Sequence, residues 1–129
     1  MQLEFASKVI EKINKNFDKK QSDFIFDKLN YFANNYNQLI CTKQIEKLTN
    51  STVSRFKASN DIRAFFVTFY EKQDGTIIIL DVASRENAYT KKNIAKIEKE
   101  AKQEIRQKKP EILWIKPIHP TFSIFFDFY

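Results

Sequence analysis

Apolar residues recur at helical spacing in two stretches near the start of the chain. The first follows Ser7, a candidate N-cap, and its apolar side consists of Val9, Ile10, Ile13 and Phe17. The second places along one helical face Ile25, Leu29, Phe32, Tyr36 and Leu39 or Ile40. Because only the short polar break at 18–22 separates them, the two stretches predict a helical hairpin that must pack on an apolar surface.

Strand-like stretches supply that surface. Residues 2–5 form a candidate first strand, and three further candidates follow at 52–57, 62–70 and 76–82, each rich in β-branched or aromatic residues. Asp74-Gly75 lies between the last two of these. Since glycine after aspartate readily takes the positive φ of a tight turn, this pair predicts a β-hairpin.

The chain turns helical again from Thr90 to Lys109, and Pro110 is expected to end that helix. Its narrow apolar stripe consists of Ile94, Ile97, Ala101 and Ile105. Lysines cover the other faces, with glutamates interspersed at a spacing that permits i,i+4 ion pairs. A solvated helix face is the usual explanation of such charge, and contact with phosphate is the alternative.

The last twenty residues differ from the rest, so the sequence predicts a domain over 1–109 and a C-terminal extension over 110–129. The extension carries Phe122, Phe125, Phe126 and Tyr129. A segment this apolar is expected to pack on the domain or on a partner.

Composition narrows the functional classes. The 129 residues contain 43% hydrophobic residues, enough for one domain with a core, and the net charge of +6 favours polyanionic partners. Cys41 is the only cysteine, which excludes an intrachain disulfide and suits a reducing compartment. With no signal-peptide core and no apolar stretch of about 20 residues, the chain is expected in the cytoplasm.

Scarce residue types exclude several kinds of site. A single glycine, Gly75, cannot build a P-loop or a dinucleotide-binding fingerprint. One histidine and one cysteine cannot form a zinc site of the usual ligand types. A catalytic Ser-His-Asp triad would need His119, which lies between Ile118 and Pro120 and is more simply a packed or surface residue.

The order of elements, from strand to helical hairpin to three strands to basic helix, resembles the RelE/ParE superfamily of toxin–antitoxin toxins. The similarity extends from Gln2 to about Arg106 and rests on order and spacing rather than on one specific motif. The segments that carry it are IEKL at 45–48, SRFK at 54–57, DIRAFF at 61–66 and DGTIIILDVASRENAY at 74–89.

That resemblance implies an α+β fold: a small twisted antiparallel sheet, an N-terminal helical hairpin on one face, and a basic C-terminal helix. It also implies metal-free, cofactor-independent cleavage of messenger RNA in the ribosome, with the RNA 2′-hydroxyl as nucleophile. The implied partners are a cognate antitoxin, the ribosome and mRNA. The transition state of this reaction concentrates negative charge, so fixed cations should lower its barrier.

The resemblance assigns roles to individual residues. Arg55 and Lys57 match a basic pair on one strand, and their spacing of two places them on one face. Arg63 matches the arginine that opens the next strand, and Arg85 the arginine at the end of the last strand. By this analogy Arg55 and Arg63 steady the transition state, Arg85 stabilises or protonates the leaving oxygen, and Tyr89 stacks on a base.

The general base has two candidates, Lys57 and Glu46, because different branches of the family use different residues. The sequence also departs from the family pattern. Asp61 and Ile62 replace a common glycine and aromatic residue, and Ala83-Ser84 stands where many relatives have glycine and a basic residue or histidine. These departures bear on the identity of the acid and the base.

Structural roles are the simpler explanation for several of these residues taken singly. Arg55 and Lys57 could be solvent-side strand residues, Arg63 could pair with Asp61 or Asp81, and Tyr89 could cover the edge of the core. Two other functions also stay open: a ParE-like toxin that binds DNA gyrase without cutting RNA, and an inactive binding module with the same fold.

Overall fold

A computed structural model describes residues 1–71 and 74–115, with side chains described for 1–70 and 75–106. Its strands are β1 (Gln2–Phe5), β2 (Ile45–Lys47), β3 (Ser54–Lys57), β4 (Ile62–Glu71) and β5 (Asp74–Ser84). Its helices are α1 (Val9–Asn16), α2 (Lys19–Asn34), α3 (Tyr36–Leu39), α4 (Arg85–Ala88) and α5 (Lys91–Ile115). The predicted α+β order, with N-terminal helices, a sheet and a C-terminal helix, is confirmed.

The strands form one five-stranded sheet in the order β1-β5-β4-β3-β2. Every neighbouring pair is antiparallel except β1 and β5, which run parallel. The prediction of an antiparallel sheet is therefore wrong at this edge, because the long connection through the helices lets β1 and β5 point the same way. The sequence also did not predict β2, which is only three residues long.

The N-terminal helices begin at different kinds of cap. Lys8, in a left-handed conformation with φ 70°, is the N-cap of α1, so the predicted cap at Ser7 is wrong. At α2, Asp18 forms a capping box with Gln21: its carboxylate accepts from the Gln21 backbone N–H at 2.7 Å. The predicted second helix is divided at Asn35, where α2 ends and the short α3 follows.

Aromatic side chains join α2 to one face of the sheet. The rings of Phe32 and Phe56 are stacked, with centroids 4.3 Å apart and planes 8° from parallel. Phe66 meets Phe32 edge-on at 4.9 Å, and Tyr36 packs against both rings. This face of β3 and β4 therefore belongs to the core.

The longest pairing is the predicted hairpin of β4 and β5, which runs from Ile62–Ser84 to Glu71–Asp74. Gly75 has no positive φ and lies opposite Tyr70 within the ladder, so the expectation that it forms the turn is wrong. A Cβ at this position would lie 2.5 Å from the Met1 methyl carbon and 3.1 Å from the Tyr70 ring. Glycine thus leaves room for these side chains rather than supplying an unusual backbone conformation.

The basic helix α5 packs Ile97 and Ala101 into the core, as its apolar stripe predicted. Its Glu98 carboxylate also accepts a hydrogen bond from the Ser51 hydroxyl. The helix continues to Ile115, so the prediction that Pro110 ends it is wrong. A proline removes one backbone donor, and the helical path continues here despite that loss.

The sequence predicts that the aromatic extension packs on the domain or on a partner. The aromatic residues of that prediction follow Ile115 and lie outside the described residues. The domain boundary at 109–110 stays a prediction. Among the described helices, none is both long and apolar enough to cross a membrane.

Replacement of Phe32 by alanine should destabilise the fold by about 3–5 kcal/mol, because the ring is fully buried between β3, β4 and α3. The matched control is Phe24→Ala on the same helix, since Phe24 is 41% exposed. Urea unfolding of the three proteins measures both changes. Equal losses would contradict the assignment of Phe32 to the central core.

Tyr36 gives the fold a pH dependence at high pH. Burial, assisted by the neighbouring Tyr70, raises the pKa of Tyr36 from 10.0 to about 12. The folded state therefore favours the neutral phenol, and its contribution to stability is complete below pH 10 and lost as the pH rises through 12. The unfolding free energy of Tyr36→Phe should fall less steeply over this range than that of the original protein. Parallel curves would contradict the prediction.

Candidate functional site

The strand register separates the candidate residues from the aromatic core. Phe56 and Phe66 contact α2, so the residues that alternate with them point to the other face. That face carries Arg55, Lys57, Arg63 and Phe65. Lys57 is directly opposite Arg63, and Arg55 is directly opposite Phe65. The expectation that Arg55 and Lys57 share a face is confirmed.

Arg55 is held by a neighbouring carboxylate. Glu46 is its direct cross-strand partner on β2, and the Arg55 guanidinium donates to the Glu46 carboxylate at 2.7 Å. A second donor of the guanidinium reaches the Gln44 carbonyl at 3.4 Å. The Glu46 side chain is 57% exposed, so the pair contributes at most about 1 kcal/mol to stability. Its main effect is to fix the direction of Arg55.

Arg63 lies almost completely buried, with 7% of its surface exposed. One nitrogen of its guanidinium donates to three backbone carbonyls, at 2.7 Å to Ser59, 3.1 Å to Asn60 and 3.3 Å to Ile62. It pairs with neither Asp61 nor Asp81, the two carboxylates that the sequence offered. The guanidinium therefore fixes the turn at 59–62 between β3 and β4.

Arg85 begins α4 immediately after β5. Its backbone N–H donates to the Asp61 carbonyl at 2.7 Å, so it is anchored to the turn that Arg63 also holds. The Arg85 side chain is exposed, and neither it nor the Lys57 ammonium has a hydrogen-bond or ion-pair partner among the described residues. Lys57 and Arg63 are thus cross-strand neighbours, and the Arg85 backbone is anchored to the turn beside them. The side chains of Lys57 and Arg85 keep their charge available.

Tyr89 follows α4 and lies over the same face. Its ring meets Phe65 edge-on, with centroids 5.9 Å apart and planes at 82°. Because Phe65 is fully buried whereas Tyr89 is 46% exposed, Phe65 supports a ring whose outer face is open to solvent. An exposed aromatic ring beside cations can stack on a nucleobase.

Five of the six predicted site residues are linked in this way: Arg55 pairs with Glu46, Lys57 is the cross-strand neighbour of Arg63, and Arg85 is anchored to the turn at 59–62. The sixth, Tyr89, contacts Phe65, which lies opposite Arg55. Sequence reasoning missed two supporting features, the carbonyls of that turn and the Phe65 ring. The sequence predicts a turn at 58–61 from its polar residues, but this pattern does not indicate that the carbonyls of the turn bind Arg63. Chemically, the unpartnered cations can attract phosphate, and the ordered arginines limit the movement of the groups around them.

No protein-family model and no curated protein matches this sequence. The structure is similar to the solved structure of the YoeB/ParE toxin from Agrobacterium tumefaciens, with a TM-score of 0.51 and 9% sequence identity. The match covers 66% of this chain and 99% of that chain. At this identity the likeness shows the fold, and it confirms the expected RelE/ParE-type fold.

Replacement of Arg63 by alanine should lower the unfolding free energy by about 1–3 kcal/mol or more, because it leaves buried carbonyls without a donor. Arg85→Ala is the matched control: an exposed side chain without a partner should change stability by less than about 0.5 kcal/mol. Chemical denaturation tests both variants. A silent Arg63→Ala would show that the guanidinium does not hold the turn.

Proposed function

We propose that this chain is the toxin of a toxin–antitoxin pair and that it cleaves messenger RNA on the ribosome, with the RNA 2′-hydroxyl as nucleophile. The observation that carries the proposal is that Lys57 and Arg63 are cross-strand neighbours on the face opposite α2, next to the turn to which the Arg85 backbone is anchored. Tyr89 stands beside them with an exposed ring. The RelE/ParE-type fold supports the same class of function.

Each residue has a role that its surroundings permit. Arg85 is exposed and anchored through its backbone, so its guanidinium can meet the scissile phosphate and stabilise charge on the leaving oxygen. Arg55, steadied by Glu46, can contact the same phosphate or its neighbour. Arg63 is a positioning residue, because its guanidinium is occupied by the turn to which Arg85 is anchored. Tyr89 stacks on a base next to the cleavage point.

Either Lys57 or Glu46 accepts the proton of the 2′-hydroxyl. Both lie on the face opposite α2, in adjacent cross-strand rows. Glu46 is tied to Arg55 through one carboxylate oxygen, whereas Lys57 has no side-chain partner among the described residues. As the base Lys57 would react in its neutral amine form, and it can approach a substrate without breaking an existing ion pair, which favours it over Glu46.

A cognate antitoxin would silence the protein by covering this cationic face. An acidic segment suits that task, since it can neutralise Lys57 and Arg85 and shield Tyr89 from solvent. The ribosome offers the same cations a dense phosphate surface.

The second candidate is a ParE-like toxin that binds DNA gyrase and does not cut RNA. The observation that favours it is the engagement of Arg55 and Arg63 by groups of the protein itself. Those bonds leave fewer cations for transition-state stabilisation than the four basic residues of the site would otherwise supply. Binding alone requires no more than an exposed cationic surface and an aromatic ring.

Single-turnover cleavage of ribosome-bound message by purified variants tests the proposal. Arg85→Ala should reduce the cleavage rate about 10²–10³-fold while ribosome affinity changes little, because one contact is a small part of the binding surface. Lys57→Ala should match that loss if Lys57 is the base, and Glu46→Gln should then be nearly silent. The control is Lys99→Ala on α5, which should leave the cleavage step intact.

Three outcomes would contradict the nuclease proposal or its assignment of the site. Absence of cleavage by the original protein on programmed ribosomes would refute the nuclease proposal. Inhibition of gyrase in the same preparation would establish the alternative. Cleavage that survives the loss of both Lys57 and Arg85 would refute the site.

A further inference from the structure

The exposed aromatic ring of the candidate site projects from the end of a very short helix. Tyr89 follows α4 directly, and α4 is a single turn, Arg85–Ala88. A helix this short is not stable by its own hydrogen bonds, so its position depends on contacts at its two ends. At the first end, the Arg85 backbone N–H donates to the Asp61 carbonyl. The bonds at the second end determine how Tyr89 projects.

Two side chains at the junction of α4 and α5 bind this second end. The Thr90 hydroxyl donates to the Asn87 carbonyl at 3.3 Å and accepts from the Asn93 backbone N–H at 3.2 Å. The Asn93 side-chain amide donates to the Ala88 carbonyl at 3.0 Å. Thr90 therefore caps the start of α5, whereas the Asn93 side chain reaches back from α5 to α4.

The bond from Asn93 acts on the peptide unit that carries Tyr89. The Ala88 carbonyl and the Tyr89 nitrogen belong to the same planar peptide, so a donor on this carbonyl fixes the plane from which the tyrosine leaves the backbone. Ala88 is 0% exposed, and water therefore cannot readily take the place of this donor. Without the amide, the peptide plane would be free to tilt.

A different contact acts on the ring itself. Phe65 meets the Tyr89 ring edge-on, with centroids 5.9 Å apart, and supports it from the protein side. This contact limits how closely the ring approaches the sheet, but it does not fix the backbone from which the ring projects. Asn93 supplies that second constraint.

We propose that Asn93 is a positioning residue for base stacking, an inference that rests on the proposed function, in which Tyr89 stacks on a base of the message. Asn93 acts through Tyr89, because its amide donor is bonded to the Ala88 carbonyl. Stacking on one aromatic side chain strengthens the binding of single-stranded nucleic acid about 5- to 140-fold per base. A displaced ring loses part of this factor.

Single-turnover cleavage of ribosome-bound message at limiting protein concentration tests this role. Asn93→Ala removes the donor but introduces a residue that favours helix, so α5 should persist. Cleavage should slow about 3- to 30-fold, which is less than the loss in Tyr89→Ala. Asn87→Ala is the matched control and should cleave as the original does, because the Asn87 side chain is exposed and its backbone carbonyl is kept.

A message that lacks one base separates base positioning from general damage. An abasic nucleotide is placed on each side of the cleavage point in turn, and the abasic position that slows the original protein identifies the stacked base. On that message, Asn93→Ala and the original should cleave at the same rate. An equal loss with and without the base would overturn the inference, as would the finding that neither abasic position slows the original protein.

Double variants show through which residue Asn93 acts. Asn93→Ala should add nothing to the loss in Tyr89→Ala, since the ring that it positions is already absent. It should multiply the loss in Arg85→Ala, because Arg85 is anchored separately at the other end of α4. An undiminished effect of Asn93→Ala in the Tyr89→Ala protein would overturn the inference.

Nuclear Overhauser contacts between the Phe65 and Tyr89 rings need no substrate, so they distinguish failure of this inference from failure of the nuclease proposal. The contacts should weaken in Asn93→Ala and persist in Asn87→Ala. If the original protein does not cleave message but these contacts respond in this way, the nuclease proposal fails and the positioning of Tyr89 by Asn93 stands. Unchanged contacts in Asn93→Ala would overturn the inference, whether or not the protein is a nuclease.

Discussion

The register shift between Phe65 and Phe66 on β4 determines which residues of β5 face each side of the sheet. Phe66 lies opposite Ile79, but its neighbour Phe65 lies opposite Asp81, so β5 contains one extra residue between the two pairs. Such an extra residue reverses the alternation along its strand. Ile79 therefore shares the α2 face with Phe66, whereas Asp81, two residues later, shares the opposite face with Phe65. Without the shift, that charged residue would lie among the aromatic rings of the core.

The same strand pair must accommodate an arginine. Residues 62–67 of β4 are all buried, and Arg63 is among them. Burial of a cation is costly unless its donors are satisfied. Backbone carbonyls of the turn at 59–62 accept hydrogen bonds from the guanidinium and so satisfy its donors. The Asp61 carbonyl of the same turn accepts from the backbone N–H of Arg85, the first residue of α4. One short polar turn thus stabilises both a buried charge and the position of Arg85.

The sequence predicted those parts of the fold that local pattern specifies. The long apolar runs around 62–70 and 76–82 gave the hairpin, and spacing of two placed Arg55 and Lys57 together. The parallel pairing of β1 and the short strand β2 depend on distant contacts, which local pattern does not encode. The register shift between β4 and β5 could not be predicted either. Residues 77–79 are consecutive isoleucines, so their pattern does not indicate which of them face the core. At the site, residue types were predictable, but the partners of Arg55 and Arg63 were not.

The bonded partners of Arg55 and Arg63 reduce the number of cations that are available to bind phosphate. The cations of the chain occupy three different settings: Arg55 and Lys12 are neutralised by carboxylates, Arg63 is surrounded by carbonyls, and Lys57 and Arg85 have no bonded partner among the described residues. A polyanion competes with groups of the protein for the first two kinds, but it can meet the third kind directly. The attraction of this face for phosphate therefore depends on a few residues whose position is set by the others, rather than on the net charge of +6. A motif that matches the sequence pattern of a cationic site can, for this reason, contain both residues that contact the substrate and residues that hold them in place.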